Sequence, residues 1–195
     1  TGGGPVAIVN NKTLANSDFF TAAFPAEFGN STAAVFDLKL RNGNQEHVHG
    51  SVQLGFLGTE VLAEGPLNRN KRSSFLINYR YSTASIFNAV GIDIGTSAVP
   101  KYQDGSFKIF TPTKGGGALS FWGIGGNSSV DIVISDQLAP ERNIYGDNDR
   151  DQYFRTGIGM VGLTHTQPLN TRTYIKTTLA VSRDRQDSDH DYVTR

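Results

Sequence analysis

The chain of 195 residues contains no cysteine, one methionine and one tryptophan. Without cysteine it can form neither a disulfide framework nor a thiolate metal site. An excess of charge is also missing, because 18 basic residues balance 18 acidic ones, so no basic field favours nucleic acid as a partner. No stretch approaches the run of about 20 apolar residues that a membrane helix needs. Thr1 to Pro5 lack the basic-then-apolar plan of a secretory signal, so any membrane contact is expected through strands.

Polar and apolar residues interleave through most of the chain, and this period of two is typical of half-buried strands. A break near residue 46 separates residues 1–45, rich in Gly, Ala and Asn, from residues 46–195, which carry longer strand-like runs. The six predicted strands of the second part are His47–Glu64, Ser73–Ser82, Gln103–Thr111, Ala118–Val133, Phe154–Thr166 and Arg172–Arg183. In the first of them the apolar parity changes between Phe56 and Val61, which predicts a bulge near Gly58.

The predicted connections alternate in length. Short links are expected at Gly65-Pro66, at Pro112 with Gly115-Gly116, and at Pro168-Leu169-Asn170, whereas the second-to-third and fourth-to-fifth links are long and polar. Bacterial outer-membrane barrels have short periplasmic turns and long extracellular loops. The alternation therefore predicts an antiparallel membrane barrel.

Aromatic residues cluster beside the long predicted loops. Tyr79, Tyr81, Tyr102, Tyr153 and Phe154 fall at those strand ends, where an aromatic girdle at the membrane surface is expected. The competing interpretation is that aromatic residues simply favour strands.

Motifs that carry chemistry are few. Asp147, Asp149 and Asp151 begin like an EF-hand loop, but the sixth position lacks Gly and the twelfth lacks Glu, so a solvated acidic loop is the favoured interpretation. His47 and His49 share one face of a strand without further ligands in view, and no metal site is predicted. No nucleophile elbow or Ser-His-Asp arrangement is present, so neither enzyme activity nor a cofactor is expected.

A resemblance to a known family rests on the order of several segments. Residues 24–30 (FPAEFGN) and 35–44 (VFDLKLRNGN) resemble the end of the plug in TonB-dependent outer-membrane receptors. The following segments, 50–58 (GSVQLGFLG), 64–67 (EGPL) and 78–82 (NYRYS), are similar to the first barrel strands of such receptors from Bacteroidetes. Ala33-Ala34 stands where many relatives carry a Gly pair.

This resemblance implies a mainly β fold: the C-terminal part of an α/β plug in residues 1–45, then about six strands of a plugged antiparallel transmembrane β-barrel in residues 46–195. Such receptors have about 22 strands, so the chain is expected to be a fragment. The implied function is active import across the bacterial outer membrane of an unidentified ligand. The implied partners are outer-membrane lipid, a surface lipoprotein, and the TonB complex through a plug segment that the sequence lacks.

Two sets of functional residues are predicted on this basis. Strand parity places Arg41, Glu60, Glu64 and Arg80 at plug-to-barrel contacts, and the residues expected to face the ligand are Asp93, Tyr102, Asp147, Asp149 and Asp151. Two other functions stay open. One is a structural or adhesive surface protein without transport, and the other is a soluble β-sandwich binding module, whose apolar strand faces would meet each other.

Overall fold

The computed structural model describes residues 10–21, 24–25, 28–29, 33–55, 58–68, 72–82, 101–135 and 149–193. These residues are mainly antiparallel β structure. A small sheet pairs β1 (Asp18–Phe20) with β2 (Val35–Asp37). The large sheet has seven strands, each antiparallel to the one before it, in chain order: β3 (His49–Leu54), β4 (Thr59–Asn68), β5 (Ser73–Tyr81), β6 (Lys101–Pro112), β7 (Ala118–Ile132), β8 (Arg150–Pro168) and β9 (Tyr174–Tyr192).

Residues 10–48, called here the N-terminal segment, precede the large sheet. The segment begins with a 3-10 turn at Asn11–Thr13, capped by the Asn10 side chain, which accepts a hydrogen bond from the Lys12 N–H at 2.8 Å. Next to this turn the chain runs antiparallel to residues 39–41, through an isolated bridge between Leu14 and Leu40. No helix among the described residues is long and apolar enough to cross a membrane.

The first predicted strand is wrong. His47–Glu64 is two strands, β3 and β4, joined by a tight connection in which the Gly55 N–H donates to the Gly58 carbonyl at 3.0 Å. Gly58 therefore belongs to a turn and not to a bulge, and the sheet has seven strands where six were predicted.

The predicted link at Gly65-Pro66 is also wrong, because both residues lie inside β4. A Cβ on Gly65 would lie 2.9 Å from Cγ2 of Val48, so glycine here permits a close approach of two chain segments. Pro66 is next to an irregularity in the pairing of β4 with β5, a position where a strand tolerates proline.

The connections alternate in length only from β4 onward. Residues 69–72, 113–117 and 169–173 are short links at one end of the sheet, and residues 82–100 and 133–149 are long links at the other. The β3–β4 connection, residues 55–58, is short and lies at the same end as the long links. The predicted strict alternation therefore fails at this first hairpin.

The two faces of the large sheet differ in composition, because successive side chains of a strand point to opposite sides and cross-strand partners share a side. On the face that contacts the N-terminal segment, called the polar face, Glu60, Arg80 and Asp104 occupy one row of partners. The opposite face, called the apolar face, carries exposed side chains that include Val52, Leu54, Val61, Ile77, Tyr79, Phe121, Val161, Leu163, Leu179 and Val181.

The apolar residues form a band that runs diagonally across the rows of paired residues. The row that contains Leu54 on β3 and Tyr81 on β5 reaches Arg185 on β9. The apolar residues of β9, Leu179 and Val181, lie in rows farther from the long connections. These rows contain Phe75 and Ile77 of β5. The band therefore lies close to the long connections at β3 and farther from them at β9.

Few apolar side chains are buried. Within the described residues they are Leu62, Leu76, Ile132 and Ile134, while Leu179 and Val181 are 69% and 75% exposed. The described structure therefore has no large apolar core between two packed layers.

Candidate functional site: the contact between the N-terminal segment and the polar face

Glu64 of β4 is the centre of this contact. Its carboxylate accepts two hydrogen bonds from the Arg41 guanidinium, Nη1 to Oε2 at 2.5 Å and Nη2 to Oε1 at 2.9 Å. The backbone N–H of Asn44 donates to the same carboxylate at 2.9 Å. Two parallel hydrogen bonds from one guanidinium fix the orientation of the carboxylate, in addition to the attraction between the opposite charges. The Glu64 side chain is only 13% exposed, so this ion pair is partly shielded from water.

Glu60, four residues earlier on the same strand, makes a second ion pair. Lys12 Nζ lies 2.7 Å from Glu60 Oε1, and Asn10 Nδ2 donates to Oε2 at 2.6 Å. Lys12 also donates to the side-chain oxygen of Gln53 on β3 at 2.8 Å. Alternate residues of a strand share a face, so the spacing of Glu60 and Glu64 places both carboxylates on the polar face.

Backbone groups bring the segment close to the sheet. Lys108 Nζ of β6 donates to the carbonyl of Leu40 at 2.6 Å. Gly43 is buried, and a Cβ at this position would overlap the carbonyl oxygen of Phe75 on β5. Only glycine fits against the strand here without a shift of the backbone.

Arg80 makes an ion pair within the sheet. Its guanidinium donates to Asp104 of the adjacent strand, from Nε at 2.8 Å and from Nη2 at 2.9 Å. Of the four predicted contact residues, Arg41, Glu60 and Glu64 thus join the N-terminal segment to the sheet, and Arg80 joins β5 to β6. Whether these are contacts between a plug and a barrel stays a prediction.

The residues predicted to face a ligand do not form one cluster. Asp93 and Asp147 lie outside the described residues. Tyr102 is half-buried and lies on the polar face, because it is two positions from Asp104 in the same strand. Its hydroxyl lies close to Gly58.

Asp149 and Asp151 have different surroundings. Asp149 is exposed, and the hydrogen bond that Arg150 donates to it lowers the pKa of the Asp149 carboxyl. Asp151 is buried, and its Oδ1 accepts the backbone N–H groups of Ile134 at 2.7 Å and Ser135 at 3.0 Å. Asp151 therefore holds the chain that follows β7.

The predicted aromatic girdle is divided between the two faces. Tyr79, Tyr81 and Tyr153 lie on the apolar side, but Tyr102 and Phe154 lie on the polar side. The error has a simple cause: residues one position apart on a strand point to opposite faces.

His47 and His49 are neighbours, with ring centroids 6.4 Å apart. No group of three or more His, Cys, Asp and Glu side chains that could hold a metal ion occurs in the part of the chain that the structure describes.

The sequence did not predict three residues of this contact, Asn10, Lys12 and Lys108, nor Asp104, the partner of Arg80 within the sheet. Asp104 and Lys108 have the same parity in β6, which was a signal that they share a face. No sequence signal identified Lys12 as the partner of Glu60, because 48 positions separate the two residues.

Comparison of the chain with protein-family models, with curated proteins and with solved structures finds no match.

Proposed function

We propose that the chain is part of an outer-membrane active transporter of the TonB-dependent receptor type. In this proposal the large sheet is a piece of the barrel wall, the N-terminal segment is the end of the plug, and the apolar face contacts outer-membrane lipid. The observation that carries the proposal is the two-sided sheet: an exposed diagonal apolar band on one face, and a segment anchored by ion pairs on the other. Outer-membrane barrels have this polarity, apolar outward and polar inward.

The competing functions fit this arrangement less well. A β-sandwich would cover its apolar face with a second sheet. In the described residues the only second layer, the N-terminal segment, lies on the polar face instead. A structural or adhesive barrel without transport has no need for a segment anchored against its inner wall.

The proposed mechanism places the ion pairs at the surface that must separate. Ligand capture by extracellular loops and plug would loosen the plug, and the TonB complex would pull on it through a segment outside this chain. The pairs of Arg41 with Glu64 and of Lys12 with Glu60 would break during this movement. Such contacts suit a releasable interface, since separation of the segment from the sheet would expose both carboxylates to water, which can then replace their partners.

The test is the state of the protein in native outer membranes. An antibody raised against this chain is expected to detect a heat-modifiable band in the outer-membrane fraction, several times heavier than 21.1 kDa. A detergent-free species of the chain's own mass would overturn the proposal and favour a small β module.

A further inference from the structure

A shallow groove lies on the apolar side of the large sheet, at the end nearest the long connections. It encloses about 780 Å³ and is lined mainly by outward-facing residues of β6 to β9. Gly157 and Gly159 of β8 form its floor, and nothing lies within 4 Å of the position of a Cβ on Gly159. Lys101, Asn127 and Arg183 are among the residues that form its sides.

Charge along the groove follows a fixed order. The outward residues of β9, read from the apolar band toward the long connections, are Leu179, Val181, Arg183, Arg185, Asp187 and Asp189. On β8 the row of Asp187 contains Arg155, and on β6 the same row contains Lys101. On β9 two arginines thus separate the apolar band from the first carboxylate, and Arg155 and Lys101 lie in the row of that carboxylate, Asp187.

The cations of the groove are exposed, and two of their three ion pairs are long. Arg185 is paired with Asp187 at 2.7 Å, but Arg155 lies 3.8 Å from Asp189 and Lys101 lies 3.6 Å from Asp131. Arg183 takes part in none of the ion pairs found among the described residues. The side chains of Arg155 and Lys101 are 55% and 59% exposed.

We propose that this groove binds the phosphorylated headgroup of a membrane lipid, whose acyl chains lie along Val161, Leu163, Leu179 and Val181. The inference rests on the proposed function, because it requires the apolar face to contact lipid. In a bilayer the phosphate lies immediately above the acyl chains, which is the level at which Arg183 follows Val181. Guanidinium groups bind phosphate oxygens through paired charge-assisted hydrogen bonds. The carboxylates of Asp187 and Asp189 would repel an anion, so they favour its binding toward the rows of Arg183 and Arg185, where the Arg155 side chain borders the same groove.

The experiment measures lipid binding to the full chain folded in neutral-detergent micelles. Short-chain phosphatidic acid is titrated and the bound lipid is counted by native mass spectrometry. The double variant Arg155→Ala with Arg183→Ala is expected to weaken binding about tenfold or more, the scale of one or two charge-assisted hydrogen bonds. Arg172→Ala, in the short link at the opposite end of the sheet, is the matched control and is expected to bind as the unchanged chain does.

Two further ligands test the contributions of the headgroup charge and of the acyl chains separately. Glycerol phosphate has the charge without the chains, and a short-chain diacylglycerol has the chains without the charge. Both are expected to bind more weakly than phosphatidic acid. Equal binding of glycerol phosphate would indicate a site for free phosphate, and equal binding of diacylglycerol a nonspecific apolar surface; either result overturns the inference, as does unchanged binding by a folded double variant.

Failure of the inference is distinguishable from failure of the proposed function. Flotation with neutral phosphatidylcholine vesicles, followed by alkaline extraction, reports membrane insertion and not headgroup binding. A chain that inserts but shows no preference for phosphatidic acid removes only the inference. A chain that does not insert removes the membrane assignment and the lipid site with it.

Discussion

Glu64 is the centre of the hydrogen bonds that join the N-terminal segment to the large sheet. It accepts hydrogen bonds from three donors of the segment, two on Arg41 and one on the backbone of Asn44. Because the Glu64 side chain is only 13% exposed, its carboxylate would lose two hydrogen-bond partners without fully regaining hydration if Arg41 were removed. Removal of one partner from such a pair costs more than the pair contributes, because a shielded charge is left uncompensated.

Replacement of Arg41 by Ala is therefore expected to loosen the segment by about 1–3 kcal/mol. Amide hydrogen exchange in residues 12–15 and 40–44 should become about tenfold faster or more, since 1.4 kcal/mol corresponds to a factor of ten. The control is Lys39→Ala. The pKa of Lys39 is raised by its hydrogen bond to Asp18 and its contact with Asp37, but this group is exposed, and exposed pairs contribute little. Equal exchange in the two variants would contradict the role assigned to Arg41.

Gly43 is expected to tolerate no side chain. An Ala at this position would overlap the Phe75 carbonyl oxygen, a backbone atom that cannot rotate away. We expect Gly43→Ala to lower the melting temperature through a loss of about 1–3 kcal/mol, the usual scale of overpacking. Gly29→Ala is the matched control, because nothing lies within 4 Å of a Cβ at Gly29. A stable Gly43→Ala variant with unchanged exchange at Asn44 would count against close seating of the segment.

At the scale of single elements, adjacent residues of β9 lie on opposite faces of the large sheet. Leu179 points to the apolar face, and its neighbour Ala180 points to the polar face opposite Gly162. Both residues are exposed, so a substitution at either one disturbs little internal packing. A pair of substitutions at these two positions therefore tests whether the face on which a charge is placed matters, because the strand and the exposure are the same.

Leu179→Arg is expected to impair insertion into lipid vesicles, whereas Ala180→Arg is expected to insert nearly as well as the unchanged chain. A charged residue on the lipid face of a barrel costs about 2–4 kcal/mol near the bilayer midplane, and a charge on the lumen side costs little. The measurement is the fraction of protein that resists alkaline extraction from vesicles. Equal loss for both variants would mean that the apolar face does not contact lipid.

The sequence predicted the strands better than it predicted their connections. Every strand predicted from Ser73 onward exists, because period-two alternation and Gly or Pro at the links are local signals. The last one was predicted too short, since β9 continues beyond Arg183 to Tyr192. β3 and β4 were merged because Gly55 and Gly58 were not distinguished from residues of a bulged strand. Gly65-Pro66 was read as a turn because the close approach of Val48, which lies in another part of the chain, leaves no local signal.

At the scale of the whole molecule, the large sheet is open, with β3 and β9 at its edges in the described structure. β9 spans 19 residues, and among the described strands it has a partner on one side only. A long unpaired edge exposes a row of backbone donors and acceptors, which favours pairing with another strand. In the proposed receptor further barrel strands would occupy this edge.

The isolated chain in detergent is accordingly expected to self-associate as its concentration rises. Sedimentation velocity at a series of concentrations measures this, with the chain in denaturant as the monomeric reference. Edge pairing needs folded strands, so the association should disappear when the sheet unfolds. A folded chain that remains monomeric at all concentrations would indicate that the edge is protected.

The sequence by itself determined the β class, the position of most strands and the different chemistry of the two faces, because these follow from a period of two that the pleat of a strand imposes locally. Only the tertiary structure decided that β3 and β4 are separate strands, that Lys12 pairs with Glu60 and Arg41 with Glu64, and that Arg183 borders a groove over Gly159. The physical reason is that parity assigns a side chain to a face, whereas its partner depends on which strands lie side by side and in which register. The register is set by contacts between residues far apart in the chain.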